Sequence, residues 1–135
     1  MQIRSAIAAD LPKIKSFDEM GGDRKAEIDS GLCLVADVGG ELVGYASYSP
    51  AGLLGQPLLT FLCVAASHRR QGIASKLVAA VQARVRGRKL ISSTEDWCVE
   101  TQRIFERLGW QRIGELSAIN KDGSAEIFYA IDLRS

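Results

Sequence analysis

The stretch "PLLTFLCVAASHRRQGIASKLVAAV", residues 57–81, decides the fold, because it joins an apolar run to a helical pattern through two arginines and a glycine. The run 58–66 is almost continuously apolar, which is typical of a strand that is covered on both faces. After the glycine, Ile73, Leu77 and Val81 recur every four residues and predict a helix with one buried stripe. A short strand follows this helix, and the order strand, helix, strand implies a parallel pair at the centre of a sheet.

The rest of the chain supplies antiparallel strands and shorter helices around this centre. Two β-type runs surround a Gly-Gly turn and predict a hairpin over residues 33–49. Asp10 is placed to cap a first helix, and residues 97–110 predict a later one. Two final strands surround the turn "NKDGS". We therefore expect one α/β domain over residues 1–135, with a mixed sheet of about seven strands and flanking helices.

Composition places the chain among ordinary globular proteins. It has 135 residues, of which 47% are hydrophobic and 24% are charged, and it contains no repeat and no linker. The longest apolar run is too short to cross a bilayer, and the first ten residues lack the apolar core of a secretion signal. We therefore expect a cytoplasmic protein that has no membrane partner.

The cysteines and the histidine give no sign of a metal site. Cys33, Cys63 and Cys98 are scattered, and an odd number without CxxC spacing argues against a disulfide framework and against zinc. His68 is the one imidazole in the chain, so a histidine-rich metal centre is not expected. Cys33 and Cys63 lie in strand patterns and are interpreted as core residues.

The net charge of +1 hides an asymmetry along the chain. Residues 68–112 contain ten basic and four acidic residues, a net charge of +6, so that the remainder carries −5. A basic centre favours an anionic partner, whereas the alternative interpretation is a solvated helix face.

The start of the central helix has the chemistry of an anion site. A helix N-terminus offers unpaired backbone N–H groups and the positive end of the helix dipole. Gly72 lets a ligand approach the backbone closely, and Arg69 and Arg70 add positive charge. The stretch suits a pyrophosphate lying across the amides of residues 70–75, although it matches neither GxxxxGK[ST] nor GxGxxG. The alternative is an ordinary strand–helix turn with solvated arginines.

Two motifs resemble those of a known family. The segment "VAASHRRQGIASKL" resembles the acetyl-CoA-binding motif R/Q-x-x-G-x-G/A of the GCN5-related N-acetyltransferase (GNAT) family, with Arg69, Gly72 and Ala74 at its defined positions. The segment "CVETQRIFERLGW" resembles the second family motif, N-x-x-A-x-x-F-Y-x-K-L-G-F. The hairpin over residues 33–49 is similar to the family's second and third strands. The resemblance covers essentially the whole chain in order.

The resemblance implies a fold and a coenzyme site. In the family the strands equivalent to residues 58–64 and 89–93 run parallel but splay apart, and the gap receives the pantetheine arm of acetyl-CoA. Main-chain groups of residues 62–64 would bind this arm and polarise the thioester carbonyl, while the amides of residues 70–75 would hold the pyrophosphate. The coenzyme-binding residues expected from the resemblance are Leu62, Cys63, Val64, Arg69, Arg70, Gln71, Gly72, Ile73, Ala74, Ser75 and Phe105.

The catalytic groups of the family do not carry over by position. The usual tyrosine that protonates the thiolate falls at Phe105, which has no proton to donate, and the usual asparagine falls at Cys98. The family chemistry needs a base to neutralise the attacking amine and an acid for the departing thiolate. We hypothesise that Glu95 accepts the amine proton through water and that Cys98 approaches the thiolate. Further candidate substitutes are Tyr129, Thr94 and Tyr45.

Each of the two leading catalytic candidates has a simpler interpretation. Glu95 is placed as an acid at the start of a helix, and Cys98 as a small, partly buried side chain. The acids Asp18, Glu19, Asp23, Glu27 and Asp29 could line a site for a cationic amine, but a solvated face is the default interpretation.

The resemblance predicts an acetyl-CoA-dependent N-acetyltransferase that moves an acetyl group to a primary amine within a ternary complex. The alternative is a catalytically silent CoA-binding or regulatory module, which the missing tyrosine favours. A nucleic-acid-binding domain is not expected, because the arginines at 84, 86 and 88 lack interleaved aromatics and a known motif. The acceptor, the acyl-chain preference and the oligomeric state stay open, although many relatives form homodimers through terminal strands such as 126–133.

Overall fold

The computed structural model describes residues 1–133 and confirms an α/β fold with a mixed sheet. The strands are β1 (Gln2–Ser5), β2 (Cys33–Val38), β3 (Glu41–Leu53), β4 (Gln56–Val64), β5 (Lys89–Glu95), β6 (Gln111–Leu116) and β7 (Glu126–Asp132). The helices are α1 (Leu11–Lys15), α2 (Arg24–Asp29), α3 (Ile73–Arg84) and α4 (Val99–Arg107). Short 3-10 turns lie at Ala8–Asp10 and Ala66–His68.

The seven strands are ordered β1-β2-β3-β4-β5-β7-β6 in one sheet. The predicted parallel pair is present in β4 and β5, which are joined in the described residues by the bridge between Leu58 and Ile91. The pairs β1–β2, β2–β3, β5–β7 and β6–β7 are antiparallel. Because β7 pairs with a strand on either side, it is not the edge strand that a dimer through residues 126–133 would use. The homodimer itself stays a prediction.

Two compact units make up the chain, one formed by residues 1–49 and 59–84 and the other by residues 50–58 and 85 onward. In the first unit, Ile73, Leu77 and Val81 are buried, which confirms the predicted stripe of α3. Gly44 on β3 permits this packing. A Cβ there would lie 3.2 Å from Leu77 Cδ1 and 3.1 Å from the Cys63 carbonyl oxygen, tighter than ordinary contacts.

The first unit also buries an apolar cluster that contains Ile14, Ile28, Val35 and the two strand cysteines. Cys33 and Cys63 are 1% and 4% exposed, so their prediction as core residues is confirmed. The hairpin between β2 and β3 turns at Gly39 and Gly40 with φ of 59° and 93°. Two left-handed residues in succession are what a tight hairpin turn needs, so the predicted turn is confirmed.

In the second unit the core is aromatic. Phe105 on α4 is fully buried, with its ring centroid 4.7 Å from that of Trp110 and 5.2 Å from that of Tyr129 on β7. Trp97 was predicted within the helix that carries Phe105, but α4 begins at Val99 and Trp97 is exposed. Its indole Nε1–H donates to Asp122 at 3.1 Å, which holds it against the turn before β7.

Asp10 does not cap α1 as predicted. Its carboxylate accepts a hydrogen bond from the Ile7 amide at 2.8 Å and forms an ion pair with Arg4 at 2.8 Å. The hydrogen bond from Arg4 is the main cause that lowers the pKa of Asp10. A charged partner on β1 therefore outcompetes the helix amides for this carboxylate.

Among residues 1–133, none of the helices combines the length and the apolar character that a membrane span requires. Within the same range, His, Cys, Asp and Glu side chains form no group of three that could hold a metal ion.

Candidate functional site

The loop of residues 69–75, called here the 69–75 loop, joins the end of β4 to the first turn of α3. Arg70 and Gly72 have φ of 64° and 78°, so the backbone is left-handed at both positions. A Cβ on Gly72 would meet no atom within 4 Å, which leaves the space above its backbone open. The Lys76 amide donates to the Gly72 carbonyl at 3.2 Å, so the amides of residues 73–75 precede the first intrahelical bond. A left-handed backbone and open amides at a helix start are the geometry of an anion cradle, and glycine adopts the positive φ at position 72 without strain.

Arg69 at the start of this loop is held by two contacts. Its Nε donates to the Val64 carbonyl at 3.1 Å, and its Nη2 lies 3.3 Å from Glu19 Oε2. The guanidinium therefore connects the end of β4 with the segment between α1 and α2. The side chains of Arg69 and Glu19 are 45% and 65% exposed, so solvent reaches both ends of the pair.

Some of the predicted coenzyme residues present only their backbone. Ile73 and Cys63 are buried, and the Cys63 thiol lies 3.8 Å from the Phe17 carbonyl. Burial raises the pKa of Cys63, as expected for a thiol in the core. Leu62 and Val64 are half-buried on either side of it. We therefore expect a ligand to contact Cys63 and Ile73 through the main chain rather than through their side chains.

A buried arginine lies next to this strand end and was missed by sequence reasoning. Arg24 is 4% exposed, and its guanidinium carbon lies 4.7 Å from the Tyr45 ring centroid and 4.5 Å from that of Phe61. It donates to the Tyr45 hydroxyl and pairs with Asp18 at 3.4 Å and with Glu27 at 2.6 Å. Burial raises the pKa of both Glu27 and Tyr45. We call this group the Arg24 cluster.

The five acids predicted to line an amine site all have partners within the first unit. Asp18 and Glu27 bind Arg24, and Glu19 binds Arg69. Asp23 caps α2 by accepting from the Ala26 amide at 3.0 Å, and Asp29 pairs with Lys25 at 2.9 Å. These contacts account for the acids without an amine ligand.

In the second unit, Glu95 and Cys98 lie in one turn between β5 and α4. The Cys98 amide donates to the Glu95 carbonyl at 3.0 Å, so the structure brings these two predicted residues together. The Cys98 thiol is half-buried and lies 3.2 Å from the Thr101 hydroxyl. Glu95 is half-buried, and its carboxylate has no partner among the described residues.

Tyr129 and Phe105 lie deeper in the same unit. Tyr129 pairs with Ser92 on β5. Ser92 precedes Glu95 by three residues, so the two positions are about 10 Å apart along the strand. Tyr129 is 2% exposed, and burial, together with the negative charge of Glu106, raises the pKa of its hydroxyl. Phe105 is 1% exposed and stacks on Tyr129. The structure therefore does not bring Tyr129 to the turn that holds Glu95 and Cys98.

A comparison with family models finds a match over residues 29–112, more than half of the chain, to a model described as an acetyltransferase (GNAT) domain. The chain belongs to the GNAT family of acetyltransferases. The match includes the 69–75 loop, α4 and the turn with Glu95 and Cys98, so the two motifs that carried the resemblance lie within it.

Solved structures of other acetyltransferases have the same fold. A GNAT-family acetyltransferase from Bacillus cereus is 24% identical, with a TM-score of 0.89 over 99% of this chain and 98% of that one. Ribosomal-protein-alanine N-acetyltransferase from Brucella melitensis is 25% identical, with a TM-score of 0.82 over 98% and 100%. The Salmonella typhimurium protein yncA, solved with its cofactor acetyl-CoA, is 18% identical, with a TM-score of 0.80 over 100% and 95%. The comparison with curated proteins found no match.

Phe105, which the resemblance aligns with the family tyrosine, belongs to the core, and the Arg24 cluster lies outside both motifs. Gly22, which precedes α2, lies against the cluster. A Cβ there would lie 2.4 Å from Arg24 Nη2 and 2.6 Å from the Phe61 ring. The glycine thus makes room for the buried guanidinium.

Proposed function

We propose that this protein is an acetyl-CoA-dependent N-acetyltransferase that moves an acetyl group to a primary amine by direct attack in a ternary complex. The observation that carries the proposal is the 69–75 loop of a GNAT chain, with Gly72 at φ of 78° and open space above its backbone. We expect the amides of residues 70–75 to bind the coenzyme diphosphate. The net charge of +6 over residues 68–112 favours the same polyanion.

We expect main-chain groups to bind the coenzyme and side chains of the turn before α4 to transfer protons. Main-chain groups of residues 62–64 would hold the pantetheine arm and polarise the thioester carbonyl. An ammonium has no lone pair, so the acceptor amine must lose a proton before it attacks. We propose that Glu95 takes that proton through water, because its carboxylate is half-buried and has no partner among residues 1–133. Cys98, which lies in the same turn, is proposed to approach the departing thiolate.

The test is a titration with acetyl-CoA, followed by an assay of thiol release with a panel of amines. The panel should include small amines, amino acids and peptides with free α-amino or lysine groups. Binding followed by amine-dependent thiol release supports the proposal. Glu95→Gln should then lower kcat at neutral pH more than it changes acetyl-CoA affinity, and Cys98→Ala should lower turnover. Full turnover in Cys98→Ala and Cys98→Ser would remove Cys98 from the mechanism.

A second candidate function is a coenzyme-binding module without catalytic activity. Phe105 favours it, because a buried phenylalanine at the family tyrosine position cannot protonate a thiolate. Tight binding of acetyl-CoA with no thiol release from any amine would support this module over the enzyme.

A further inference from the structure

We propose that Glu19 sets the affinity of the 69–75 loop for the coenzyme diphosphate by competing for the guanidinium of Arg69. The inference rests on the proposed function, because it requires a diphosphate to bind at that loop. In this proposal Glu19 lowers the affinity for the coenzyme, and Arg69 changes its partner from the Glu19 carboxylate to the diphosphate when the coenzyme binds.

The first step is the position of Arg69. Its guanidinium carries one of the positive charges expected to attract the coenzyme, yet Nη2 lies 3.3 Å from Glu19 Oε2. Its Nε at the same time donates to the Val64 carbonyl at 3.1 Å. Val64 is one of the main-chain positions expected to bind the pantetheine arm. Arg69 is thus bound to the carboxylate of Glu19 and to the Val64 carbonyl, which the coenzyme would need as an acceptor.

The second step is what holds Glu19 beside Arg69. The preceding residue, Asp18, accepts a hydrogen bond from the Tyr45 hydroxyl at 2.7 Å and pairs with buried Arg24. The Met20 amide donates to Asp18 at 2.9 Å and closes the turn around Glu19. The backbone at Glu19 is therefore anchored by buried contacts, although its own carboxylate is exposed. This anchoring keeps the carboxylate within reach of Arg69.

The third step is the competition itself. A diphosphate bound to the amides of residues 70–75 presents a second anion close to Arg69, and guanidinium groups bind phosphate well with paired hydrogen bonds. When Arg69 turns from Glu19 to the phosphate, its Nε also leaves the Val64 carbonyl, which becomes available to the pantetheine arm. The ion pair between Glu19 and Arg69 must break before Arg69 can bind the phosphate. Glu19 therefore weakens coenzyme binding. Because the pair is exposed, its effect is small and is screened by salt.

The experiment measures the Kd of coenzyme A by isothermal titration for the wild type, Glu19→Gln and Asp29→Asn. Asp29 is the matched control, because its pair with Lys25 in the same unit is also exposed and its replacement removes the same charge. We expect Glu19→Gln to bind about two- to five-fold more tightly at low salt, as expected for an exposed ion pair. Asp29→Asn should bind like the wild type, and the gain in Glu19→Gln should shrink as salt is added.

A second comparison removes Arg69. In an Arg69→Gln background, adding Glu19→Gln should leave the Kd unchanged, because the group for which the two anions compete is gone. A gain that persists without Arg69, or a Glu19→Gln variant that binds no more tightly than Asp29→Asn, would overturn the inference while leaving the proposed function in place. A wild-type protein that binds no coenzyme A would overturn both.

Discussion

At the scale of single residues, the burial of Arg24 could not be predicted from the sequence. Arg24 lies in the polar segment "GGDRKAEIDSG", residues 21–31, and no local pattern marks it as buried. Its partner Tyr45 is 21 residues away along the chain. The cluster forms because folding brings β3 and β4 next to α2, and such long-range proximity cannot be deduced from the spacing of charges. Cys33 and Cys63 could be predicted, because apolar strand patterns indicate burial directly.

Replacing Arg24 with methionine should strongly destabilise the protein. The side chains of Asp18 and Glu27, which are 12% and 18% exposed, would lose their counter-charge, and removing one partner of a largely buried pair costs about 3–5 kcal/mol. The adjacent Lys25→Met is the control, because Lys25 forms an exposed pair and its loss should cost about 0.5 kcal/mol. Urea unfolding measures both variants. Equal effects in the two would show that Asp18 and Glu27 do not need Arg24.

The ion pair between Asp10 and Arg4 should contribute to stability in a pH-dependent manner. The pKa of Asp10 is lowered in the folded chain, so its contribution is complete above the ordinary value of 3.8 and is lost as pH falls through the folded value. Asp10→Asn should therefore cost about 2 kcal/mol at neutral pH, as a charged hydrogen bond does. The difference from the wild type should vanish in acid. A difference that is constant with pH, measured by unfolding, would contradict this.

At the scale of the elements, the strand, loop and helix that form the anion cradle were predictable, because each depends on local rules. The apolar run indicates β4, the four-residue spacing indicates α3, and Gly72 permits the left-handed backbone between them. The start of α4 was less predictable. Trp97 extends the apolar pattern of α4 toward the N-terminus in the sequence. In the structure, however, its indole is exposed and binds Asp122 in a distant turn.

Gly72→Val should weaken coenzyme binding, and because φ at this position is positive it also strains the backbone, as a valine at Gly123 would. The added side chain meets no protein atom within 4 Å at its Cβ but fills the space above the cradle. We expect coenzyme A affinity to fall by about tenfold or more, which corresponds to about 1.4 kcal/mol. Gly123→Val is the control, because that glycine also has a positive φ, of 84°, and open space around it. Titration of both variants with coenzyme A would refute the site if they bound equally well.

At the scale of the whole molecule, the fold class and the central parallel pair follow from patterns along the chain, whereas the position of β7 between β5 and β6 and the catalytic groups do not. A sheet is specified by many residues, and each needs only to be apolar in the right period. A proton-transfer group depends on one side chain, and here Phe105 occupies the position that the resemblance assigns to the family tyrosine. The charge distribution is a second whole-molecule property, since a nearly neutral chain contains a segment of +6.

This distribution makes coenzyme binding sensitive to salt. Between about 0.1 M and about 1 M salt the Debye length falls from about 10 Å to about 3 Å, so attraction between the basic segment and a diphosphate should be largely screened. We expect the Kd for coenzyme A to rise over this range. Its titration in sodium chloride measures the effect, and a Kd that does not change would show that the basic segment does not attract the ligand.

The two tryptophans differ sharply in their surroundings, with Trp97 60% exposed and Trp110 4% exposed against Phe105. Both lie in the second unit. An aqueous quencher such as iodide can therefore extinguish the emission of one indole while the other continues to fluoresce. The protein thus carries a natural optical reporter of its aromatic core, which needs no added label.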